Sequence, residues 1–325
     1  MNLNFRRSFP RIKLVFLLLP LIFASCKNVD VSIYDYTQDC SITESISTPL
    51  HVFLIGLDGW GSYSLPKADM PTIKRMMANG AWQLTARDVY PSISAPNWES
   101  MFTGSTPVFH GYTSNTGRNP TFQPVIIDEY NYFPNIFTLI RKMRPNCKIA
   151  SFYEWSGIED FYPASIIDTH QYIADLSANP DAVDTITAYI ETIKDEQLTF
   201  TFVHFDGADH AGHHNGHDTQ GYYTMLNTID GLIEKIENAI SGNTMTDNAI
   251  FIFSSDHGGI NLGHGGDTRE EREIPIVVYG KNIKSGFVIS NGLNIYDIAP
   301  TISEIFGISN PSVWLGNSFY NMIRE

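Results

Sequence analysis

His51-Val-Phe-Leu-Ile-Gly-Leu-Asp-Gly59 contains an apolar run, Val52 to Leu57, that stops abruptly on an aspartate and a glycine. A strand that is apolar on both faces has to be covered on both, the usual condition of a parallel strand with helices above and below it. The arrangement recurs. Thr199-Phe-Thr-Phe-Val-His-Phe205 runs into Asp206-Gly207 and Asp209-His210, and Ala249-Ile-Phe-Ile-Phe-Ser254 runs into Asp256-His257-Gly258-Gly259. A fourth candidate, Ile274-Pro-Ile-Val-Val-Tyr279, is closed by Gly280. Between them lie segments with helical spacing. Pro71 to Asn79 is stopped by Gly80, and Asp181 to Lys194 carries Val183, Ile186, Ile190 and Ile193. Gln220 to Ile240 carries Met225, Leu226, Ile229, Ile233 and Ile236, and Asn294 to Phe306 contains Pro300, which marks a kink or a restart. The alternation predicts an α/β fold, a doubly wound and mainly parallel sheet flanked by helices. Ligands of such sheets bind outside the carboxyl ends of the strands. Three of the four strands end in aspartates at that edge.

The 325 residues are 43% apolar and 17% charged, which suits a globular enzyme and not a disordered or coiled-coil chain. Arg6, Arg7, Arg11 and Lys13 precede an apolar run from Leu14 to Phe23, and Ala24-Ser25-Cys26 follows. The run is short for a bilayer-spanning helix, and the whole reads as an export signal. It resembles a bacterial lipobox, with Phe23 where leucine is usual. The expected organisation is a lipoprotein signal peptide over 1–25, a polar tether over 26–49 lipidated at Cys26, and one catalytic domain over 50–325. The expected location is the bacterial cell envelope, in the periplasm or at the cell surface, with the membrane engaged through the lipid anchor. Without the four basic residues of the leader, 17 basic residues face 35 acidic ones, a balance of −18. Such a charge predicts no nucleic-acid-binding face. An anionic substrate remains compatible if metal ions supply the local positive field. For Cys40 and Cys147, a disulfide and two separate thiols are both open.

The chemistry lies in the acid and histidine clusters. Asp58 follows the first strand; Asp209 and His213 are spaced D-x-x-x-H; Asp256 and His257 are adjacent; His264 follows in Gly263-His-Gly-Gly266. Three carboxylates and three imidazoles divide into two sets suited to divalent metals with mixed oxygen and nitrogen ligands. Tyr90-Pro-Ser-Ile-Ser-Ala-Pro-Asn-Trp98 offers Ser92 and Ser94 ahead of a helix starting near Pro96. A serine there sits where backbone N–H groups favour a phosphate, and metal coordination can make it an alkoxide. Asn97 is placed in sequence to donate to a phosphoryl oxygen.

Taken in order, these motifs resemble the alkaline phosphatase superfamily, most closely its nucleotide pyrophosphatase/phosphodiesterase branch. The matching residues are Leu57-Asp-Gly59, the P-[ST]-x-[ST]-x-P-N segment ending at Asn97, Thr103-Gly104, His110-Gly111, Asp209 with Gly212, His213 and Gly216, Ser255 to Gly258, His264-Gly265, and Tyr296 to Thr301. The resemblance implies an alkaline phosphatase-like fold with Ser94 as nucleophile and Asn97 on the phosphate. It implies one metal on Asp209, His213 and His264 and another on Asp58, Asp256, His257 and the Ser94 oxygen, both usually zinc. The expected activity is that of a type I phosphodiesterase acting through a phospho-serine on a small phosphate ester, a nucleotide or lipid headgroup among the candidates. The nucleophile is serine where that branch usually has threonine.

A phosphate monoesterase is the nearest alternative. A sulfatase (Ser94-Ala-Pro-Asn-Trp98 lacks the required arginine), a phospho-headgroup transferase and a non-catalytic surface binding protein follow. His51, His170 and His204 match no motif and are expected to be structural; His210, His214 and His217 are expected to flank the ligands. Asp206 is the runner-up to Asp209. Trp60, Tyr90, Trp98, Phe152, Tyr153 and Trp155 include candidates for stacking on a ligand, and Arg118 for contacting a terminal phosphate.

Overall fold

The computed structural model describes residues 31–115 and 119–325. Cys26, the leader and Arg118 therefore lie outside the described residues. Val31–Glu325 is one compact unit built on an eight-stranded sheet. In chain order the strands are β1 (Leu50–Leu57), β2 (Ala81–Arg87), β3 (Lys148–Tyr153), β4 (Thr169–Tyr172), β5 (Leu198–Phe205), β6 (Ala249–Ser254), β7 (Glu273–Gly280) and β8 (Phe287–Val288). Their spatial order is β4-β3-β5-β1-β6-β7-β2-β8.

β1 lies at the centre, parallel to β5 and β6, and all of its residues are buried. Its side chains alternate between two cores. Val52 and Leu54 belong to the one on the first face, and Phe53, Ile55 and Leu57 to the one on the other. The sheet is mainly parallel, as the apolar runs predict, but β7 is antiparallel to both β6 and β2. The reason is local. A parallel return needs a crossover of a dozen or more residues, usually a helix, whereas residues 255–272 are mostly loop with one helical turn, Arg269–Arg272.

The helix Gln220–Ala239 buries Tyr222, Leu226, Ile229, Ile233 and Ile236, residues three or four apart on one face. Its buried Asp230 accepts the Thr72 and Ile73 N–H groups at 2.9 Å each, satisfying donors at the start of the helix Pro71–Ala78. Pro300 marks a restart and not a kink. A 3₁₀ turn at Ile295–Asp297 leads into the helix Ile298–Ile305, whose first turn holds the proline where it costs no hydrogen bond.

Residues 31–49 do not form a free tether. Tyr34, Tyr36 and Cys40 are buried in the core of the first face. Tyr34 N–H donates to Ile127 at 2.6 Å, and Thr43 N–H donates to the Gly307 carbonyl at 2.8 Å. The polar composition of this segment conceals two tyrosines that anchor it to the domain. Cys40 and Cys147 are both buried, free thiols.

Candidate active site

The sheet delivers three acids to one edge. Asp58 follows β1, Asp256 and His257 follow β6, and Asp209 and His213 lie one turn apart on the helix Gly207–Asn215 that follows β5. His264 comes from the loop before β7. The assembly is tight enough to require glycine at position 59. That residue has φ +69° and lies so close to Asp209 that a Cβ would sit 2.8 Å from it. Its N–H donates to Asp256 Oδ1 at 3.1 Å.

Two clusters of potential ligand atoms result. In one, Asp209 Oδ2 is 3.3 Å from His213 Nε2, Asp209 Oδ1 is 3.5 Å from His264 Nε2, and the two Nε2 atoms are 3.1 Å apart. In the other, His257 Nε2 is 3.6 Å from Asp58 Oδ1, 3.2 Å from Asp256 Oδ2 and 3.4 Å from Ser94 Oγ. The sets adjoin, with the His257 and His264 rings stacked at 3.8 Å.

These residues fit metal ions. His213, His264 and His257 direct Nδ1 to the carbonyls of Leu262, Ser92 and Gly258 at 2.8, 2.9 and 2.8 Å. A carbonyl only accepts, so each Nδ1 carries the hydrogen and each Nε2 offers a lone pair. The carboxylate atoms Asp58 Oδ1, Asp209 Oδ1 and Asp256 Oδ2 are buried without a hydrogen-bond partner. Acceptors thus face acceptors, an arrangement a cation resolves. The spacings agree as well, since ligand bonds of about 2.0–2.2 Å in a tetrahedral site put ligand atoms about 3.3–3.6 Å apart. Burial, with the charge of Asp256 acting on Asp58 and that of Asp209 on both, pushes Asp58 and Asp256 well above the usual carboxylate range. Burial holds His257 down to about 3, hence neutral. The hydrogen bond that protonated His213 donates to Asp209 raises its pKa to about 9.

Asp58, His204 and Asp206 also cluster, but His204 is oriented differently. Its Nδ1 faces the Trp155 N–H at 3.5 Å, which leaves Nε2–H to donate to Asp58 Oδ2 at 3.1 Å. Trp98 Nε1–H donates to the same oxygen at 3.1 Å. Two neutral donors therefore hold Oδ2 and leave Oδ1 for the cluster. Trp98 fits because residue 56 is glycine; a Cβ there would stand 2.3 Å from the indole. His204, expected to be merely structural, fixes the orientation of Asp58. His51, in contrast, pairs with Thr199 at 3.0 Å inside the core.

Ser92 and Ser94 are distinguished by their partners. Ser92 Oγ donates to the Gly266 carbonyl at 3.0 Å, while Ser94 Oγ faces His257 at the first position of the helix Ser94–Thr103. Asn97 does not stand where a phosphate could reach it. It is wholly buried, its Oδ1 accepts the Val89 N–H at 2.6 Å, and its Nδ2 donates to the carbonyls of Val89, Pro91 and Ile93 at 3.2, 3.1 and 2.9 Å. Asn97 therefore braces the loop that presents Ser94. The amide beside the nucleophile is Asn115, unidentified in the sequence, whose exposed side chain accepts the Ala95 N–H at 2.8 Å. That N–H can only donate, so Oδ1 is fixed and the amino group is left as a donor.

Asp206 begins the helix that carries Asp209 and lies 3.9 Å from the exposed His210. His210 and His214 stack on each other at 5.4 Å, and His217 is buried. Trp60, Trp98, Phe152 and Tyr153 are core residues that no ligand can reach, whereas Tyr90 is exposed.

Comparison with known proteins agrees with this geometry. The model of the type I phosphodiesterase/nucleotide pyrophosphatase family matches residues 52–268. A phosphopentomutase of Alkaliphilus metalliredigens is 33% identical over 169 residues, covering 52% of this chain and 39% of that protein. GPI ethanolamine phosphate transferase 2 of Yarrowia lipolytica is 22% identical over 263 residues, covering 75% of this chain and 29% of that protein. The chain thus spans well under half the length of these curated relatives. Murine ectonucleotide pyrophosphatase/phosphodiesterase 5, solved as an inactive variant with AMP, has the same fold, with TM-score 0.66 at 15% identity over 84% of this chain and 100% of that one. A family match over most of the domain, ending on the loop that brings in His264, places the chain in the type I phosphodiesterase/nucleotide pyrophosphatase family of the alkaline phosphatase superfamily.

Proposed function

We propose that the chain is a two-metal phosphoesterase that cleaves phosphate diesters, nucleotide pyrophosphates among them, through a phospho-serine on Ser94. The observation that carries this reading is the position of Ser94 Oγ, at a helix N-terminus and 3.4 Å from His257, at the edge of one ligand set and beside the other. Asp209, His213 and His264 would hold one zinc ion, and Asp58, Asp256 and His257 the other. Bound there, the ions supply a lowered serine pKa, a nucleophilic water and positive charge for the oxygens around phosphorus.

The protein's own groups do the rest. Ser94 forms the new O–P bond as the bond to the leaving oxygen breaks in line with it; water then displaces Ser94 from phosphorus. The helix N-terminus favours the phosphoryl charge, and the Asn115 amino group is the neutral donor beside it. With Asn97 committed to the loop, the diester reading rests on family membership and on the neutral amide of Asn115 next to the nucleophile.

The test compares turnover of bis-p-nitrophenyl phosphate and p-nitrophenyl phosphate by the zinc-loaded protein, with Ser94→Ala and a chelator as controls. Diester preference lost in both controls supports the reading; monoester preference moves the chain to the monoesterases with the same metal site. Transfer to an alcohol acceptor, as the ethanolamine phosphate transferase relative suggests, would show as a new ester product. Export and lipidation at Cys26, placing the enzyme at the bacterial cell envelope, belong to the same proposal and rest on the basic, apolar and small-residue order of residues 6–26. Labelling with a fatty acid, lost in Cys26→Ser, tests them.

A further inference from the structure

Two acid–histidine registers run along the helix Gly207–Asn215. Asp209 and His213 form one. Asp206, at the N-cap, and His210 form the other, which His214 continues one turn on. Residues four apart lie on one helix face, so Asp206, His210 and His214 make a row of their own. Asp206 accepts no helix N–H through its side chain. The His210 and His214 rings are exposed, stacked at 5.4 Å and within 6° of parallel, and no hydrogen bond among the described residues engages either.

We propose that this row is a further metal site, for zinc or another divalent ion that favours imidazole, with His210 and His214 as the chelating pair and Asp206 as the third ligand. The spacing of four lets two helical histidines meet on one zinc ion, and exposed side chains are free to turn onto it. Asp206 Oδ2 stands 3.9 Å from His210 Nδ1. That is too long for a hydrogen bond and a few tenths of an ångström wider than the spacing of two ligands on one metal, a gap that rotation of the exposed imidazole closes. The surroundings suit a cation. The three residues line a cavity of about 430 Å³ that Glu154 and Asp175 also line, and no lysine or arginine does among the described residues. Glu154 is already committed to the Ser177 N–H at 3.0 Å, the Ser177 hydroxyl and the Asp206 N–H at 2.7 Å, so it adds charge and not a ligand. Imidazole nitrogens suit zinc, copper or nickel, whereas magnesium and calcium prefer shells of oxygen. An ion held there spans two turns of the helix that also carries Asp209 and His213, and by binding the folded chain it stabilises that helix. The proposal goes beyond the chemistry at Ser94 and is read without turnover.

The test equilibrates the full-length protein in detergent against zinc chloride at rising concentration, up to about 100 μM, and counts bound zinc per chain by atomic emission. The parent is expected to take up one equivalent more than the double variant His210→Ala/His214→Ala, and each single variant to need at least tenfold more zinc for that equivalent. Because the count is a difference between proteins, it reads the same whether or not the two clusters beside Ser94 are filled. Equal zinc in parent and double variant overturns the proposal. Displacement of the extra equivalent by excess magnesium chloride overturns it too, since carboxylates alone would then be the ligands. If the double variant does not fold, His214→Ala decides alone: undiminished uptake by that variant has the same consequence.

Discussion

His213 and His264 meet Nε2 to Nε2 at 3.1 Å, each having directed its Nδ1 hydrogen to a backbone carbonyl. Two lone pairs at that distance repel unless a cation or a proton lies between them. Without a metal, the hydrogen bond donated to Asp209 raises His213 to about 9, so near neutral pH a proton occupies that place. A metal has to displace it. Zinc affinity at this set should therefore rise about tenfold per pH unit from pH 7 and level off near 9. Titration against a competing chelator across that range measures the slope, and a flat profile would show that the proton is not the competitor.

Trp98 and His204 together fix Asp58 by giving Oδ2 two hydrogen bonds, from positions 40 and 146 residues away in sequence. Removal of such supporting donors typically lowers metal affinity about 10–100-fold. Trp98→Phe keeps the ring packed and deletes one donor, so zinc binding at the Asp58 set should weaken within that range. Activity should return in excess zinc. Loss of activity that zinc cannot restore would mean that the indole serves the nucleophile helix and not the ligand.

Asn97 and Asn115 should fail in opposite ways. Asn97→Ala leaves three loop carbonyls and the Val89 N–H without their partner, and at about 1 kcal/mol per hydrogen bond the fold should lose roughly 4 kcal/mol. Asn115 is exposed and holds a single N–H. Its alanine variant should melt like the parent while turnover falls about 10–1,000-fold, the scale of a lost transition-state donor. Thermal melts and kinetics on the two variants give the comparison directly.

What the sequence revealed and what it concealed follow from the range of the interactions. The strands β1, β5 and β6 are mostly apolar runs, and their terminal acids are visible because a charge cannot continue a buried strand. The strands β2, β3 and β4 lie nearer the edges of the sheet, are partly mixed with polar residues, and give no such signal. The reversal of β7 depends on how the loop after β6 is used, which no residue in Ile274–Tyr279 records. The two candidate ligand clusters are legible because metal sites call for particular residue types and spacings. His204 and Trp98 act only through Asp58, and that pairing exists only once β1, β5 and the nucleophile helix are assembled. Asn97 misleads for a similar reason: its distance from Ser94 in sequence says nothing about which way its amide turns.

Acid should destabilise this protein through buried histidines outside the two candidate ligand clusters, His110 first among them. It is fully buried, and burial holds its imidazole down to about 3, against about 6.5 for an exposed histidine. Between those values the unfolded chain binds a proton that the folded chain refuses. The stabilising contribution is therefore complete above pH 6.5 and is lost as pH falls through the window. At pH 5 the loss from this one residue is about 2 kcal/mol. His110→Gln keeps a donor and an acceptor but cannot take up the proton, so it should melt lower than the parent at pH 7 and lose less on going to pH 5. Denaturant midpoints at the two pH values test this, and parallel losses in both proteins would assign the acid sensitivity to other groups, His51 and His204 being next in line.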